Sequence, residues 1–415
     1  MLRRIPIPRR PRIPIFAYLA VMGPGLITAM ANNDAGGITT YSIAGAEFGY
    51  HTLWILLILT VLLAVTQEMG ARMGAVTGKG LADLIREEFG LRAVVFALAT
   101  LLVANTAVTA SEFAGIASGF QLFGLSKYII VPIVAFGVWA LISSGSFRRV
   151  ERVFLVFVFF FLSYIVSGFI SHPPWGEVLH NLVVPSISKK PGFLLLAIAL
   201  TGTTVAPWGQ FFIQSYVRDK GTSPADYRFT RLDVVSGSIF TDIISFFIIV
   251  ATAVTLFATH IHIETAADAA RALGPLAGRY AKSLFGVGFI AASVLASAIL
   301  PLSTAYVVCE AFGWESGVGK RWSSAPRFNS IFTLLIGVGA GIALVPHIHL
   351  VKLMVLANTL NGILLPVILI YTVRLAADKG LMGEHANGRL YSAFTWVAAF
   401  IVIAMTILLL VLQFV

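Results

Sequence analysis

Long apolar stretches alternate with short polar links along most of the chain. A helix needs about 20 apolar residues to cross the hydrocarbon core of a bilayer. On that basis the pattern predicts eleven membrane spans, at residues 16–40, 51–72, 94–120, 128–145, 152–171, 193–216, 234–258, 283–309, 329–346, 350–375 and 392–414. Residues 1–15 contain Arg and Pro throughout, which is typical of a cytoplasmic tail rather than a signal peptide. We therefore expect an all-α integral membrane protein with one transmembrane domain over residues 16–415.

Composition supports this prediction. Hydrophobic residues make up 58% of the 415-residue chain and charged residues only 12%, whereas soluble globular proteins carry about 25% charged residues. The net charge of +10 would suit a nucleic-acid partner, but Lys and Arg occur in short clusters between the apolar stretches. We therefore expect a lipid bilayer and no nucleic acid as the surroundings of this chain. Cys309 is the only cysteine, so an intrachain disulfide is excluded.

The basic residues indicate the orientation of the spans. Of the 29 Lys and Arg residues, 22 lie in the N-terminal tail and in every second link after it, and 7 lie in the opposite links. Cytoplasmic links of membrane proteins carry such an excess of Lys and Arg. We predict a cytoplasmic N-terminus and, with eleven spans, an external C-terminus, in the cell membrane. The His-x-His pairs, His260/His262 and His347/His349, then lie in external links, where each pair either clips a metal ion or is simply solvated.

Spans 1 and 6 differ from the others because polar residues, glycine and proline interrupt them. The interruptions lie at Asn32–Gly37 in span 1 and at Gly202–Gly209 in span 6. Such residues at mid-membrane are costly unless unwound backbone lines a cavity. Two interruptions five spans apart are typical of an inverted-repeat transporter whose binding site lies between two discontinuous helices. The alternative is a pair of ordinary kinks.

Five stretches of the chain, taken in order, match a known family. They are 23–54 (GPGLITAMANNDAGGITTYSIAGAEFGYHTLW), Gln67–Leu84, Glu112–Gly115, Glu310–Gly313 and Asn361–Gly383. These stretches resemble the Nramp metal-ion transporters, and the resemblance extends from about Gly23 to Gly388. It implies a LeuT-like fold of 5+5 inverted repeats with discontinuous spans 1 and 6. Spans 1–5 (about 16–171) and 6–10 (about 193–375) would be the repeats, and span 11 (about 392–414) is appended.

The chain departs from the family pattern at the ion site. The family's Asp-Pro-Gly-Asn motif is Asp34–Gly37 (DAGG) here, so the acid is kept and the Asn ligand is lost. The family's Met-Pro-His-Asn motif is Ala206–Gly209 (APWG), so the thioether and the protonatable His are both lost. An acid that the family usually carries three residues before Glu112 is Thr109 here. Similar substitutions mark the Nramp-related magnesium transporters, a branch that carries Mg²⁺ and Mn²⁺ without evident proton coupling.

These substitutions favour a hard cation. A thioether binds Mn²⁺ or Fe²⁺ better than Mg²⁺, so its loss at Ala206 removes a barrier against Mg²⁺. Mg²⁺ prefers oxygen ligands, sheds water reluctantly and is usually held by one or two carboxylates. Asp34 supplies a carboxylate, and Gln210, one turn past Ala206, is placed to accept from a bound water. Glycines and alanine at the breaks are expected to leave room for a hydration shell, and the family resemblance implies that carbonyl groups near Ala31 and Thr203 face the ion. The predicted metal site therefore comprises Asp34, Gly37, Ala31, Thr203, Ala206 and Gln210.

Four more residues are predicted to line or gate this site: Trp208, Gly209, Glu112 and Asp242. Glu112 either contributes to the ion pathway or hydrogen-bonds a broken helix, and Asp242 has no counterpart in the family pattern. Trp208 fills the space of the lost His, forms a gate, or only packs. Outside the site, Glu68 is expected to pair with Arg72 at the i,i+4 spacing.

The expected function is secondary transport of divalent cations, mainly Mg²⁺ and also Mn²⁺, as partly hydrated ions, by alternating access and without proton coupling. The first alternative is a proton-coupled Mn²⁺/Fe²⁺ symporter of the same family. The second is a cation-coupled amino-acid transporter of the same fold, although an acid aimed at the site favours a cation over a carboxylate ligand. The sequence has no nucleotide loop, nucleophile elbow or HExxH motif, so neither an enzyme nor a cofactor is expected. The sequence does not decide the oligomeric state, and a monomer is compatible with it.

Overall fold

The computed structural model of this chain describes residues 28, 31–144, 162–222, 224, 227–274, 278, 281–317, 320 and 322–414. The described part is helical apart from short links. The main helices are α1 (Ala35–Phe48), α2 (Leu53–Thr77), α3 (Leu81–Phe89), α4 (Leu91–Gln121), α5 (Lys127–Ser144), α6 (Trp175–Val183), α7 (Phe193–Thr204), α8 (Pro207–Asp219), α9 (Tyr227–Thr252), α10 (Ala281–Phe312), α11 (Pro326–Leu344), α12 (Leu350–Ala377) and α13 (Arg389–Phe414). A π-helical turn, Ala253–Phe257, extends α9, and residues 162–170 are helical as well.

These helices account for the predicted spans. Within the described residues, eight segments are long and apolar enough to cross a membrane, and they correspond to spans 2, 3 and 6 to 11. The shorter apolar helix α5 corresponds to span 4. The predicted tail, 1–15, lies outside the described residues, as do most of the first half of span 1 and residues 152–161 of span 5.

Several predicted spans are shorter than the helices to which they correspond. Span 7 was expected to begin at residue 234, but α9 begins at Tyr227, and α2 continues to Thr77 rather than ending at residue 72. Hydropathy marks only the apolar part of a helix, whereas backbone hydrogen bonding continues into the polar segment that follows. Glycine then ends both α1 and α2, because Gly49 and Gly78 have φ angles of 59° and 64°, which other residues rarely adopt.

Close contacts at glycines pack helices together within each of the two repeats. Helices α7 and α12 approach so closely that a Cβ on Gly202 would lie 2.1 Å from the carbonyl oxygen of Asn358. Likewise a Cβ on Gly115 of α4 would overlap Ala35 at the start of α1. Small residues allow such close helix packing within a membrane. Helix α1 itself packs against α4, α7 and α12.

The two breaks lie side by side. Span 1 leaves helical geometry at residues 31–34, and span 6 is interrupted between Thr204, the last residue of α7, and Pro207, the first of α8. The Asn32 side chain donates to the carbonyl oxygen of Thr204 at 3.1 Å. In the opposite direction, the Thr203 hydroxyl donates to the carbonyl oxygen of Asn32 at 3.4 Å. The interruptions predicted from the sequence are thus true helix breaks that hydrogen-bond to each other.

Candidate metal-ion site

Asp34 stands at the break in span 1, where it caps α1. Its Oδ1 accepts a hydrogen bond from the amide of Gly37 at 2.6 Å, as Asp does at the N-cap position of many helices. The residue is only 3% exposed. No Lys, Arg or His forms an ion pair with it in the described part of the chain. A buried carboxylate without a basic partner needs a proton or a cation to compensate its charge.

Backbone carbonyls at both breaks lose their usual helical partners. The amide of Ala35 donates to Glu112 at 3.1 Å, so the carbonyl of Ala31, four residues earlier, does not receive it. Residue 207 is proline and has no amide hydrogen, so the carbonyl of Thr203 has no i+4 donor either. These are the two carbonyls predicted to face the ion. Each is released from helical hydrogen bonding by an identifiable residue.

Oxygen atoms converge on Gly37. The position that a Cβ on Gly37 would take lies 2.5 Å from the carbonyl oxygen of Asn32, 2.8 Å from the Thr203 hydroxyl and 3.2 Å from Asp34 Oδ1. The expectation of free space at the glycines is therefore wrong for Gly37. It is wrong for Gly36 as well, because a Cβ there would lie 2.8 Å from the Asn358 side chain and 3.0 Å from the Ser111 hydroxyl. In this closed arrangement the missing side chains allow neighbouring oxygens and helices to approach, rather than leaving a void.

Glu112 completes the start of α1. Its Oε2 receives the Ala35 amide, while its Oε1 has no hydrogen-bond partner among the described residues. The carboxyl groups of Glu112 and Asp34 lie close to each other. Of the two roles considered for Glu112, hydrogen bonding to the broken helix is the one that the geometry supports. Two adjacent buried carboxyl groups cannot both be ionised without a positive charge between or beside them.

Asp242 lies on the neighbouring helix α9 and is 4% exposed. Neither of its oxygens has a hydrogen bond in the described part of the chain, although the Thr60 side chain is close by. One residue away, Thr241 accepts the side-chain amide of Asn33 through both its carbonyl (2.9 Å) and its hydroxyl (2.8 Å). The Asn33 side-chain oxygen in turn accepts from Ser245 at 2.8 Å. Helix α9 thus holds the break of span 1 through Asn33, with Asp242 beside the contact.

The span 6 residues divide into a polar and an apolar side. Gln210 is fully buried, its Nε2 donates to Thr66 at 3.2 Å, and its Oε1 has no donor among the described residues. Gly209 has more room than Gly37, since the nearest atom to its Cβ position is 3.4 Å away. The Ala206 carbonyl is already taken by the Gly209 amide at 3.1 Å. Trp208 belongs to the apolar core and its ring centroid lies 6.1 Å from that of Phe212, so it packs there.

Sequence reasoning missed three buried polar residues around the breaks. Gln67 on α2 lacks partners for both amide atoms, Ser111 on α4 for its hydroxyl, and Asn358 on α12 for its carbonyl oxygen, within the described residues. Asn358 donates to Thr40 at 3.1 Å. The available signal was an uncharged polar residue within each apolar span.

Ionic contacts close the two ends of the helix bundle. At the end that carries α3, Arg72 lies 3.3 Å from Glu68, which confirms the predicted i,i+4 pair, and Tyr391 of α13 donates to the same carboxylate at 2.8 Å. At the opposite end, His262 contacts Glu47 at 2.5 Å. No group of three or more His, Cys, Asp or Glu side chains suited to a metal ion occurs among the residues described, so the His-x-His pairs gain no third ligand.

Comparison with protein families gives one match over nearly the whole chain. The family described as natural resistance-associated macrophage protein-like (Nramp) matches residues 25–412. The divalent metal cation transporter MntH of Ralstonia nicotianae is 30% identical over 432 residues, which cover 97% of this chain and 93% of the relative. The MntH protein of Erwinia tasmaniensis is 28% identical over 401 residues, 94% of each chain.

Solved structures agree on the fold. The manganese transporter of Eremococcus coleocola superposes with a TM-score of 0.77 at 20% sequence identity, covering 97% of this chain and 88% of that one. MhsT in complex with L-phenylalanine superposes with a TM-score of 0.60 at 14% identity, covering 94% and 97%. The nucleobase-cation symporter Mhp1 gives a TM-score of 0.57 at 13% identity, covering 93% and 90%. These similarities confirm the predicted LeuT-like fold.

Proposed function

Because this chain belongs to the Nramp family, we propose that it transports Mg²⁺, and also Mn²⁺, as partly hydrated ions by alternating access and without coupling to protons. The chain is a multi-pass membrane transporter of divalent metal cations, not an enzyme, and the cation is its substrate rather than a cofactor. The choice of ion and the absence of coupling are the proposal.

The convergence of oxygens on Gly37 is the observation that carries the proposal. A carboxylate (Asp34), a backbone carbonyl (Asn32) and a hydroxyl (Thr203) lie within 3.2 Å of one point. We assign the ion to this neighbourhood, with Asp34 as its charged ligand and the carbonyls of Ala31 and Thr203 turned toward it or its waters. Hard oxygen donors of this kind suit Mg²⁺ and Mn²⁺ alike.

The second half of the site supports a hydrated ion. Ala206 carries no sulfur, so a soft ion gains nothing there. The Oε1 of Gln210, which has no donor among the described residues, is available to a water of the hydration shell, and Gly209 next to it adds no side chain. In this proposal Gly37 permits the close approach of the ligands, Glu112 orients the start of α1, and Asp242 and Trp208 line the surroundings.

The same residues argue against proton coupling. Trp208 replaces the protonatable His of the family pattern and packs against Phe212 in the apolar core. Thr109 replaces the acid on span 3, and its hydroxyl donates to the carbonyl oxygen of Asn105 in its own helix at 2.6 Å. Neither an indole nor a hydroxyl titrates near physiological pH, so neither side chain can take up and release a transported proton. Asp34, Glu112 and Asp242 are the acids that remain near the break of span 1 in the described part of the chain.

A proton-coupled manganese transporter is the second candidate, and the similarity to a manganese transporter supports its choice of ion. The matched relatives are divalent metal cation transporters, and the superposed Eremococcus protein is named as a manganese transporter. An amino-acid substrate is supported only by the shared fold with MhsT.

We also propose a cytoplasmic N-terminus and an external C-terminus on the basis of the charge bias. The pattern of apolar spans supports a single transmembrane domain over residues 16–415.

Proteoliposome uptake decides between the candidates. We expect Mg²⁺ and Mn²⁺ to enter liposomes that contain the purified protein, without acidification of a lumenal pH dye. Entry of Mn²⁺ together with acidification, and no entry of Mg²⁺, would establish the proton-coupled symporter instead. Empty liposomes and the Asp34→Asn variant are the controls, because both retain passive leak.

A further inference from the structure

Three polar residues share one face of α8 between the breaks and the α3 end of the bundle. Gln210, Gln214 and Arg218 follow each other at intervals of four residues, which places them on the same side of the helix. The side-chain oxygens of both glutamines are buried and have no hydrogen-bond donor among the described residues. The Gln214 amide nitrogen donates to the carbonyl oxygen of Lys79 at 3.0 Å. Buried amide oxygens of this kind are costly unless water or an ion occupies the site in some state.

Helix α2 supplies the opposite wall. Gln67 is fully buried, and neither atom of its amide has a partner within the described residues. Below it the two helices are in close contact, because a Cβ on Gly74 would lie 2.7 Å from the carbonyl oxygen of Gln214. A Cβ on Gly70 would lie 2.9 Å from Ile213. The wall is therefore polar but shut, with no space for an ion until α8 and α2 separate.

Arg218 closes the far end. Its guanidinium lies 2.9 Å from Glu310, 2.9 Å from Asp219 and 3.7 Å from Asp83. The Glu310 side chain is only 1% exposed, and the α2–α3 link at Gly80 lies directly against it. One guanidinium thus faces three carboxylates on three different segments of the chain. Arg86 also acts on Asp83, whereas the buried Glu310 has Arg218 as its cation, and a transported cation would suit Glu310 equally well.

We propose that Gln67, Gln210, Gln214, Arg218 and Glu310, here called the α8 column, form the route by which the cation leaves Asp34 toward the α3 end. When α8 moves away from α2, the side-chain amides of the three glutamines hydrogen-bond to the waters of the hydrated ion. Arg218 is a tethered counter-ion that holds the route shut, and the departing cation takes its place beside Glu310. This proposal rests on divalent-cation transport but not on the preference for Mg²⁺.

Thiol labelling tests the closure in the full-length protein without any transport measurement. Cys309 is the only cysteine, so Cys309→Ala provides a cysteine-free background into which Gln214→Cys is introduced. In detergent, a membrane-impermeant maleimide should label Gln214→Cys slowly, and adding Arg218→Ala should speed labelling by about tenfold because a buried ion pair has been opened. Arg218→Lys, which keeps the cation, should restore slow labelling.

The matched control is Asn329→Cys on α11, a buried position whose native amide bonds within its own helix. Its labelling should stay slow with and without Arg218, whereas faster labelling there would indicate general loosening and overturn the interpretation. Equal rates for Gln214→Cys with Arg218 and with Ala at position 218 would refute the closure. The double variant Arg218→Leu/Glu310→Leu removes both charges and should stay slow, since apolar side chains of similar size can replace a buried ion pair.

Mn²⁺ uptake and binding test the route itself. Gln67→Leu and Gln214→Leu should each lower Mn²⁺ uptake by about tenfold, the loss of one hydrogen bond to a water held by the ion. Mn²⁺ affinity measured by calorimetry should change less than about twofold, because neither residue touches the ion at Asp34. Asn329→Leu is the control for loss of a buried amide. Unchanged uptake, or an affinity that falls in parallel with uptake, would overturn the route. Because the probe is Mn²⁺, failure of the Mg²⁺ proposal leaves this test intact.

Discussion

Asp34 has two roles in this structure, and one substitution separates them. Its carboxylate caps α1 by accepting the Gly37 amide at 2.6 Å, and it is the charged ligand of the proposed ion. Asparagine caps helices as well as aspartate does, but it carries no charge. Asp34→Asn should therefore keep the start of α1 intact and abolish transport. Asp34→Ala should lose both roles and in addition lower stability by about 0.5–2 kcal/mol, the usual effect of losing an N-cap.

The burial of Asp34 determines the size of the effect on transport. The residue is 3% exposed and has no basic partner among the described residues, so the ion is its main source of compensating charge. Two unit charges 4 Å apart at an effective dielectric constant of 20 attract by about 4 kcal/mol, and a divalent ion doubles that value. Desolvation offsets part of this attraction, and removing one partner of a buried charge pair costs about 3–5 kcal/mol, which corresponds to a loss of affinity of about 100-fold or more.

The assay combines uptake with thermal unfolding. Initial rates of Mg²⁺ and Mn²⁺ uptake into proteoliposomes are compared for the wild type, Asp34→Asn and Asp34→Ala, and the melting temperature of each protein is measured in detergent. At ion concentrations well below saturation we expect uptake to fall by about 100-fold or more, to the level of leak, for both variants. We expect a wild-type melting temperature for Asp34→Asn and a lower one for Asp34→Ala. Uptake by Asp34→Asn within tenfold of the wild type would refute the assignment of Asp34 as the charged ligand.

Three further predictions follow from contacts at the breaks and at the ends of the bundle. Ala206→Met should shift uptake toward Mn²⁺ or Cd²⁺ at the expense of Mg²⁺, because it returns a soft ligand, and an unchanged ratio of uptake rates would contradict this. Glu112→Leu should lower the free energy of unfolding by about 1–3 kcal/mol because it leaves the buried Ala35 amide without an acceptor. Glu112→Gln keeps an acceptor and should unfold like the wild type in the same thermal assay. The hydrogen bond to Glu47 raises the pKa of His262, so this contact stabilises the fold below the ordinary His value of about 6.5 and is lost as the pH rises through the raised pKa. Melting temperatures of the wild type and His262→Gln should therefore differ more at pH 6 than at pH 8.5, and a pH-independent difference would count against the contact.

Membrane spans and helix breaks were predictable because they depend on local chemistry. Apolar stretches long enough to cross a bilayer must form helices, since lipid offers no hydrogen bonds to the backbone. The break at Pro207 follows from the missing amide hydrogen, and the break at Asn32–Gly37 follows from polar residues and glycines at mid-membrane. The Glu68–Arg72 pair was equally predictable because its spacing within one helix is fixed.

Contacts between distant segments were decided only by the tertiary structure. The sequence identified Glu112 as a buried acid, but its role depends on the Ala35 amide, which lies 77 positions away in the chain. From the sequence, Gly36 and Gly37 were expected to leave free space. Packing of α4, α7 and α12 instead brings neighbouring atoms to within 3 Å of the position that a Cβ would take on each glycine. Gln67 is conspicuous only once its neighbours are known, because an unpartnered amide is a property of its surroundings. Hydropathy and composition determine which residues enter the membrane. Which buried polar groups find a hydrogen-bond partner, on which the site depends, is decided only when the helices pack.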